Sequence, residues 1–283
     1  MTRWTIDSPR TVDLGDVAVL RVRLISGSVA VLASQDAPML DVADLDGQPL
    51  LVTHQAGILT ITYEDLRWDG LHRWLHPRRH SADVTITVPG SCPTQVGVVN
   101  AGAIVSGISA KTGAKSLSGD ITLDGVAGNV DAKTVSGNLE ARDIDGELAF
   151  NSVSGDLTLA GGTVRHLQAK TVSGRVTADI DLSDGGGLRV TTVSGDVAVR
   201  VPSSCSARVE LRSTSGRLSS SFDGMGSSRG PGPAVMSATI GSGSASLSMT
   251  SMTGDVTLLA RDSGQDGHQD AGTSDAGQRG DQR

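Results

Sequence analysis

Three evenly spaced histidines are the residues of this sequence that come nearest to a metal-binding pattern. His72, His76 and His80 are four residues apart, a spacing that places ligands on one side of an α-helix. Pro77 lies between the second and the third and would end the helix there. We therefore predict that the chain holds no metal ion.

Aspartate repeatedly follows glycine, as it does in calcium-binding nonapeptide repeats. Those repeats use the pattern G-G-x-G-x-D, in which backbone carbonyls and aspartates surround the ion. Here the same column continues through Asn138, Arg175 and Arg217, and a positively charged arginine cannot bind calcium. We predict neither a calcium site nor any other cofactor. The aspartates concerned are Asp120, Asp156, Asp196 and Asp255.

The sequence also lacks a pattern typical of catalysis. Its many serines are turn residues, and no G-x-S-x-G motif is accompanied by a suitable histidine and aspartate. Aromatic residues make up 2% of the chain, too few to stack on sugars in a polysaccharide-binding groove. We predict no catalytic residues and no enzymatic activity. A polysaccharide-active β-helix enzyme remains a remote alternative.

The two cysteines occupy matching positions after a valine–proline pair. Cys92 ends the phrase V-P-G-S-C and Cys205 ends the phrase V-P-S-S-C. Because cysteine is commonly buried without taking part in chemistry, we interpret both as small packing residues at a strand entrance. A reactive thiol and a metal ligand are the weaker interpretations. So few cysteines fit a reducing compartment.

Residues 65–80 differ from the rest of the chain. This segment, DLRWDGLHRWLHPRRH, holds two of the three tryptophans and four arginines. Two interpretations stay open: a helical cap over the first open coil, or a basic amphipathic segment for a partner or a membrane surface. The candidate interaction residues are Trp68, Leu71, Arg73, Trp74, Leu75, Arg78 and Arg79.

A Ser-Gly pair recurs along the chain at intervals of 18 to 21 residues between Gly119 and Gly216. A period this short indicates stacked coils, none of which buries its apolar side alone. Glycine accepts the positive φ of a tight corner, so we predict structural turns at these glycines. They are Gly119, Gly137, Gly155, Gly174, Gly195 and Gly216, together with Gly254 of the later variant Thr253-Gly254.

Apolar and polar residues alternate on both sides of each Ser-Gly pair. Leu157 and Leu159 follow one pair, while Leu148 and Phe150 precede it. A period of two indicates a strand that is buried on one side. Two such strands per repeat, stacked about 4.8 Å apart, predict an all-β fold. We expect a single-stranded parallel β-solenoid (β-helix) with about 18–21 residues per coil and irregular, capped N-terminal coils.

Three regions follow from these patterns. Residues 1–93 are expected to form wider N-terminal coils or a cap, with the basic amphipathic segment 65–80 inserted. Residues 94–260 are expected to form the regular solenoid, in which residues 224–233 are a surface loop. Residues 261–283 hold almost nothing apolar and are predicted to be a disordered polar tail.

Charge and hydropathy restrict the partners. The net charge is −7 and the pI is near 5.3, which argues against general nucleic-acid binding. The sequence shows no secretion signal and no apolar run of membrane-spanning length. We predict a cytoplasmic protein with an unknown protein partner or self-association. A membrane surface, reached through residues 65–80, is the less favoured partner.

Several motifs resemble a bacterial β-strand-repeat family of unknown function labelled putative adhesin. They are the repeated V-S-G-D-[LVI]-x-[LV], the Val-Pro phrases and the opening MTRWTIDSPRTVDL. Tyr63-Glu64-Asp65-Leu66 and Trp74-Leu75 resemble its actinobacterial branch. The resemblance implies a parallel β-solenoid with a non-enzymatic role.

The function we expect is therefore that of a non-enzymatic interaction module of the putative-adhesin type. Its partner would bind a solenoid face or segment 65–80. The alternative is a self-assembling, bactofilin-like cytoplasmic scaffold.

Overall fold

The computed structural model describes residues 1–63, 80–228 and 232–262, which form twenty-two β-strands. These strands form because apolar and polar residues alternate in the sequence, so that every second side chain of a typical strand is buried. Leu157 and Leu159, for example, are each 1% exposed. The prediction of an all-β chain is therefore correct. Within the described ranges there is no helix that could cross a lipid bilayer.

The strands are numbered in chain order. The N-terminal strands are β1 (Thr2–Ile6), β2 (Arg10–Asp13), β3 (Val19–Ala33), β4 (Met39–Gly47), β5 (Leu50–Gln55), β6 (Ile58–Tyr63) and β7 (His80–Val88). The central strands are β8 (Thr94–Ser106), β9 (Thr112–Ser116), β10 (Ile121–Asp124), β11 (Ala127–Thr134), β12 (Leu139–Arg142), β13 (Asp145–Asn151), β14 (Leu157–Lys170), β15 (Val176–Thr192) and β16 (Val197–Pro202). The C-terminal strands are β17 (Ala207–Ser213), β18 (Leu218–Ser220), β19 (Gly226–Ser228), β20 (Ala234–Ile240), β21 (Ala245–Ser251) and β22 (Val256–Arg261).

The strands lie in two faces whose buried side chains form one apolar core. Four long strands, β3, β8, β14 and β15, continue through a corner and contribute one half to each face. The first face runs β1, β5, β6, β3, β8, β9, β11, β13, β14, β15, β21, β17, β20, β19. The second face runs β2, β4, β7, β3, β8, β10, β12, β14, β15, β16, β22, β18.

Hydrogen bonding across the two faces corrects the prediction of a single-stranded solenoid. Strands β8, β9, β11, β13, β14, β12 and β10 pair in that order, each parallel to the next, and β10 pairs again with β8. The central fold is thus a closed seven-stranded parallel barrel with extra strands. The ring closes because β8 and β14 do not end at the corners, so each belongs to both faces.

The order of strands at the C-terminal end also departs from a simple stack of coils. Strand β15 pairs with β21 and β16 pairs with β22, so residues 245–261 lie next to residues 187–202. Strands β17 and β18 pair on the far side of β21 and β22. The repeat could not predict that β21 and β22, rather than β17 and β18, lie next to β15 and β16. Both pairs of strands show the same alternation, so either pair would fit beside β15 and β16.

Antiparallel strands complete both ends. Strands β5 and then β1 add to β6, while β4 and then β2 add to β7. At the other end β20 adds to β17 and β19 adds to β20. In place of the irregular N-terminal coils that we predicted, the described structure has antiparallel strands, of which β5 and β6 form a hairpin. The predicted surface loop, residues 224–233, contains β19.

The Ser-Gly corners are tight for a reason other than the predicted one. The seven turn glycines do not have positive φ, whereas glycines elsewhere, such as Gly107 and Gly146, do. Instead, each turn glycine packs against the backbone of the neighbouring corner. A Cβ atom added to Gly155 would lie 1.9 Å from the carbonyl oxygen of Gly137. Space, rather than a left-handed backbone, therefore requires glycine at these corners.

Candidate interaction surface

Eight lysine and arginine side chains of the described residues lie on the outer side of the first face. Outward positions there are aligned in columns from one strand to the next, and buried positions alternate with them. We call this outer side the cationic face. Its basic residues are Arg21, Arg23, Lys115, Lys133, Lys170, Arg189, Arg208 and Arg212.

Strand register brings residues of distant sequence position together in one column of this face. Lys115 is directly opposite Lys133, and Lys133 is opposite Asn151. The next residue in the column is Lys170. Neighbouring parallel strands are about 4.8 Å apart, so Lys115 and Lys133 place two like charges side by side. Such a pair destabilises a sheet.

Carboxylates on the same side are fewer. Asp131 lies 3.1 Å from the Nζ of Lys133, and Glu210 pairs with Arg212. Glu147 lies 3.4 Å from Nε of Arg165 and 3.6 Å from Nδ1 of His166. These exposed pairs contribute little to stability. They leave the cationic face with an excess of positive charge.

The outer side of the second face carries the opposite charge. Its carboxylates include Asp13, Asp41, Asp83, Asp124, Glu140 and Asp179. Arg142 pairs with Glu140, and Arg200 with Asp179. The hydrogen bond from Arg200, with further attraction from Arg261, holds the pKa of Asp179 below its usual value. Charge is thus segregated between the two outer sides.

A shallow groove of about 250 Å³ crosses the cationic face. Its polar wall consists of Lys111, Asn129, Asp131, Glu147, His166 and Gln168. These side chains supply both hydrogen-bond donors and acceptors. No Tyr, Trp or Phe side chain lines the groove in the described structure, so it has no platform for a sugar ring or a base. Its chemistry suits a polar polypeptide.

A row of exposed aliphatic side chains borders the cationic face at the Ser-Gly corner. We call it the aliphatic ridge. It consists of Leu117, Val135, Val153, Val172, Val193 and Met252, each in the bend that follows a strand, with neighbouring bends joined by backbone hydrogen bonds. Val153 and Val172 are each 49% exposed. Among the described residues, most of the strongly exposed large hydrophobic side chains belong to this row.

Hydrogen bonds on both sides of the corner fix the ridge in register. Inside the corner, the backbone N–H of Gly174 donates to the hydroxyl of Thr171 at 3.0 Å. Outside it, the backbone N–H of Arg175 donates to the carboxylate of Asp156 at 2.7 Å. The repeated Gly-Asp pairs therefore bind neighbouring backbone. This is a structural role that does not require calcium.

The seven interaction residues predicted from the sequence, Trp68, Leu71, Arg73, Trp74, Leu75, Arg78 and Arg79, lie outside the described residues. His72 and His76 lie there too. His80 is buried, with its ring edge-on to that of Tyr63 at a centroid distance of 5.1 Å. Among the described residues, no three His, Cys, Asp or Glu side chains come together as metal ligands would.

Both cysteines are free thiols within the fold. Cys92 is buried and Cys205 is half-buried. Burial raises the pKa of both thiols, and the charge of Asp181 adds to the effect at Cys205. A raised pKa leaves little thiolate at neutral pH, which agrees with the interpretation of both as packing residues.

The sequence contains signals for both surfaces, although we did not predict either as a site. Lys133, Lys170 and Arg212 alternate with apolar residues along the sequence, which places them on the outer side of their strands, and all three are exposed. The same column extends to Arg23 through the register between β3 and β8. The sequence repeat does not predict that register. The signal for the ridge is the aliphatic residue before each Ser-Gly pair, since its position is out of phase with the buried ones.

The profile of one protein family, described as Toastrack DUF4097, matches residues 55–259. This range holds most of the cationic face and the whole aliphatic ridge. No curated protein matches the sequence.

Solved structures similar to the chain come from several bacteria. A putative adhesin from Bacteroides fragilis is 9% identical, with a TM-score of 0.36, and the match covers 92% of this chain and 97% of that one. A putative lipid binding protein from Parabacteroides distasonis is 11% identical, with a TM-score of 0.32 and the same coverage. A putative cell adhesion protein from Clostridium sporogenes is 11% identical, with a TM-score of 0.28, covering 89% and 100%.

Proposed function

The chain belongs to the Toastrack DUF4097 family, and we propose that it is a non-enzymatic interaction module that binds an acidic protein partner through its cationic face. The proposal depends on the segregation of charge between the two outer sides. The chain has a net charge of −7, yet its lysines are Lys111, Lys115, Lys133 and Lys170. All four belong to the cationic face or to the groove that crosses it. Solubility alone does not require such a distribution.

The arrangement within the face supports a binding role. Lys115 and Lys133 oppose each other on neighbouring strands, and the exposed pair of Lys133 with Asp131 offsets only part of the repulsion between their like charges. Carboxylates of a bound partner would remove that repulsion. Binding sites commonly carry such locally unfavourable arrangements, whereas purely structural surfaces do not need them.

A protein fits this face better than a nucleic acid does. The second face and the net charge of the chain repel a long polyanion beyond the immediate contact. Single-stranded nucleic acids also bind through bases stacked on aromatic rings, and no Tyr, Trp or Phe side chain lines the groove in the described structure. The carboxylates of a folded or extended polypeptide can instead bind through short-range ion pairs with the cationic face alone.

The alternative of end-to-end assembly receives less support. The outermost strands of the described fold are β1 and β2 at one end and β18 and β19 at the other, with 5, 4, 3 and 3 residues. Short edge strands offer few unpaired backbone groups to a second chain. A filament built by strand addition at these ends would have few hydrogen bonds at each junction.

A labelled glutamate-rich peptide tests the proposal by fluorescence anisotropy. The double variant Arg21→Glu/Arg189→Glu reverses two charges on the cationic face and should weaken binding at least about tenfold. Arg142→Glu/Arg175→Glu makes the same change in net charge on the side of the second face and serves as the matched control. Equal weakening by both variants would mean that net charge, not the face, governs binding.

Two further probes distinguish a protein partner from a nucleic acid and from a membrane. Duplex DNA and vesicles containing phosphatidylserine are measured at the same ionic strength. The proposal expects both to bind more weakly than the peptide. Stronger binding of either, lost in Arg21→Glu/Arg189→Glu, would contradict a protein partner.

A further inference from the structure

The sequence that follows the last strand is acidic. Between Asp262 and Gln278 it contains Asp266, Asp270 and Asp275 and neither lysine nor arginine. We call residues 263–278 the acidic segment; it lies outside the described part of the structure. Its aspartates carry the charge that the cationic face attracts. The position at which the chain leaves the last strand decides whether they can reach that face.

Strand β22 ends at the corner where the chain passes from the second face to the first. The backbone N–H of Ser203 donates to the carbonyl oxygen of Arg261 at 2.9 Å. Residues 203–206 join β16, in the second face, to β17, in the first. The second residue of β17 is Arg208, which belongs to the cationic face. The acidic segment therefore starts beside one edge of the cationic face.

The side chain of Arg261 holds the end of β22 at this corner. Its Nη1 lies 2.8 Å from Oδ1 of Asp179, and its Nη2 pairs with Asp181. Both carboxylates belong to β15, which continues through the same corner into the first face and there presents Arg189 outward. Arg189 and Arg208 thus lie on first-face strands that leave the corner where the acidic segment starts.

The acidic segment is long enough to cross the cationic face. Four residues of a strand, such as those from Arg208 to Arg212, span about 13 Å. Asp266 is four residues beyond Asp262 and Asp270 is eight, so they can extend up to about 14 Å and about 29 Å from it. Asp266 can therefore reach the edge column with Arg208, and Asp270 the far column with Arg212.

Unpaired cations lie within this range. Lys170 occupies the column of Arg212, three strands away, which corresponds to about 14 Å. Arg212 pairs with Glu210, whereas Lys170, Arg189 and Arg208 form no ion pair with any described residue. Three positive charges on this half of the face are therefore open to an acidic ligand.

The second face offers no comparable site. Most arginines on its outer side are paired with its own carboxylates, in the pairs Arg142–Glu140, Arg200–Asp179 and Arg217–Asp255. The remaining carboxylates on that side, such as Asp124 and Asp196, repel the acidic segment. Charge thus directs the segment from the corner towards the cationic face.

We propose that the acidic segment docks in cis on the half of the cationic face formed by β14, β15, β21 and β17, where it competes with the acidic partner. The inference rests on the proposed function, because the two ligands share one face. A single exposed ion pair stabilises a contact only slightly. The covalent connection, however, keeps the aspartates at an effective concentration on the order of millimolar. A partner with more carboxylates displaces the segment.

Carbodiimide cross-linking of the full chain tests the contact. The reagent activates a carboxylate as an O-acylisourea; a lysine amine then forms the amide and releases the urea. After trypsin digestion, peptide 262–279 should be linked to peptide 166–175, which contains Lys170. The link should be lost in Asp266→Asn/Asp270→Asn/Asp275→Asn and should decrease with rising salt. Absence of the link, or equal linkage to the distant α-amino group of Met1, would overturn the proposal.

A mixture of isotope-labelled and unlabelled chains shows whether the contact forms within one chain. Docking in cis predicts that both linked peptides carry the same label. Links between a labelled and an unlabelled peptide would identify a second copy as the source of the segment, and docking in cis would be wrong.

Anisotropy with the glutamate-rich peptide measures the competition. The variant with the three aspartates of the segment replaced by asparagine should bind the peptide about two- to fivefold more tightly than the wild type, because the face is no longer partly occupied. Asp13→Asn/Asp44→Asn/Asp46→Asn is the matched control. It makes the same change in net charge at exposed residues of β2 and β4 and should bind like the wild type. Equal tightening by both variants would overturn the competition.

Failure of this inference and failure of the proposed function give different results. If the peptide binds but the link to Lys170 is absent, docking in cis is wrong and the proposed function stands. If the peptide binds neither the wild type nor the segment variant, the proposed function is wrong. The cross-link then decides alone whether the acidic segment lies on the cationic face.

Discussion

Gly155 lies so close to Gly137 that a Cβ atom on the first would be 1.9 Å from the carbonyl oxygen of the second. The same approach recurs at each Ser-Gly corner, with distances of 1.8 to 2.0 Å. Contact between successive backbones keeps the corners in register. That register in turn aligns the residues of the aliphatic ridge with one another.

Gly155→Ala is therefore expected to destabilise the protein through overpacking. Because the obstacle is backbone and not a flexible side chain, the neighbouring corner must move, at a cost of about 1–3 kcal/mol. Gly102→Ala is the matched control, since a Cβ atom there meets nothing within 4 Å. Chemical denaturation measures both; equal midpoints for the two variants would mean that the corners are less tight than described.

Leu157→Asp is expected to disrupt the core. Leu157 is 1% exposed and pairs with Leu139 and Val176 on the neighbouring strands, so an aspartate would bury a charge without a partner. The loss should be at least several kcal/mol. Glu140→Lys, on the outer side, removes one exposed pair with Arg142 and should change stability by less than about 1 kcal/mol. Thermal melting of both variants checks the assignment of inner and outer sides.

Tyr63 makes the protein sensitive to alkaline pH. Burial, with a smaller effect from the charge of Asp83, raises the pKa of Tyr63 to about 12 from 10.0. The unfolded chain therefore loses this proton first, and stability should fall as pH rises between 10 and 12, by on the order of 2 kcal/mol. Tyr63→Phe should remove this part of the pH dependence.

The same variant should be tolerated at neutral pH. The hydroxyl of Tyr63 is buried and has no hydrogen-bond partner among the described residues, so its removal leaves no partner unsatisfied. Denaturation of wild type and Tyr63→Phe at pH 7 and at pH 11 measures both effects. A large loss at pH 7 would show that the hydroxyl forms a bond that stabilises the fold.

Asp156 tests the structural role of the repeated Gly-Asp pairs. Asp156→Ala removes the acceptor for the backbone N–H of Arg175 and should cost about 1 kcal/mol, as the loss of a helix N-cap does. Asp156→Asn keeps an acceptor, as Asn138 does for the N–H of Asp156 in the wild type, and should be nearly neutral. Added calcium should alter the melting temperature of neither variant nor the wild type; a calcium-dependent rise lost in Asp156→Ala would reveal a metal site.

The local structure could be predicted from the sequence because it depends on neighbouring residues. The alternation around Leu157 and Leu159 predicts which side chains are buried, and the same alternation places Lys133 and Lys170 on the outer side. Which side chains of a strand face inward and which face outward is a property of that strand alone. It does not depend on which other strands pair with it.

Long-range features could not be predicted in the same way. The insertion of β21 between β15 and β17 exchanges two repeats that resemble each other, so the pattern fits either arrangement. The closure of the barrel depends on β8 and β14 passing through corners where other repeats have a break. The cationic face was missed because Arg23 joins Lys115 and Lys133 through the register of β3 on β8.

The central claim, that the cationic face binds an acidic partner, is tested most directly by amine footprinting. Every lysine of the chain belongs to this face or its groove, and the α-amino group of Met1 serves as an internal control. A glutamate-rich peptide should protect Lys115, Lys133 and Lys170 from acetylation, as measured by mass spectrometry, and leave Met1 unprotected. Unchanged acetylation of the three lysines under conditions where the peptide is bound would contradict the claim.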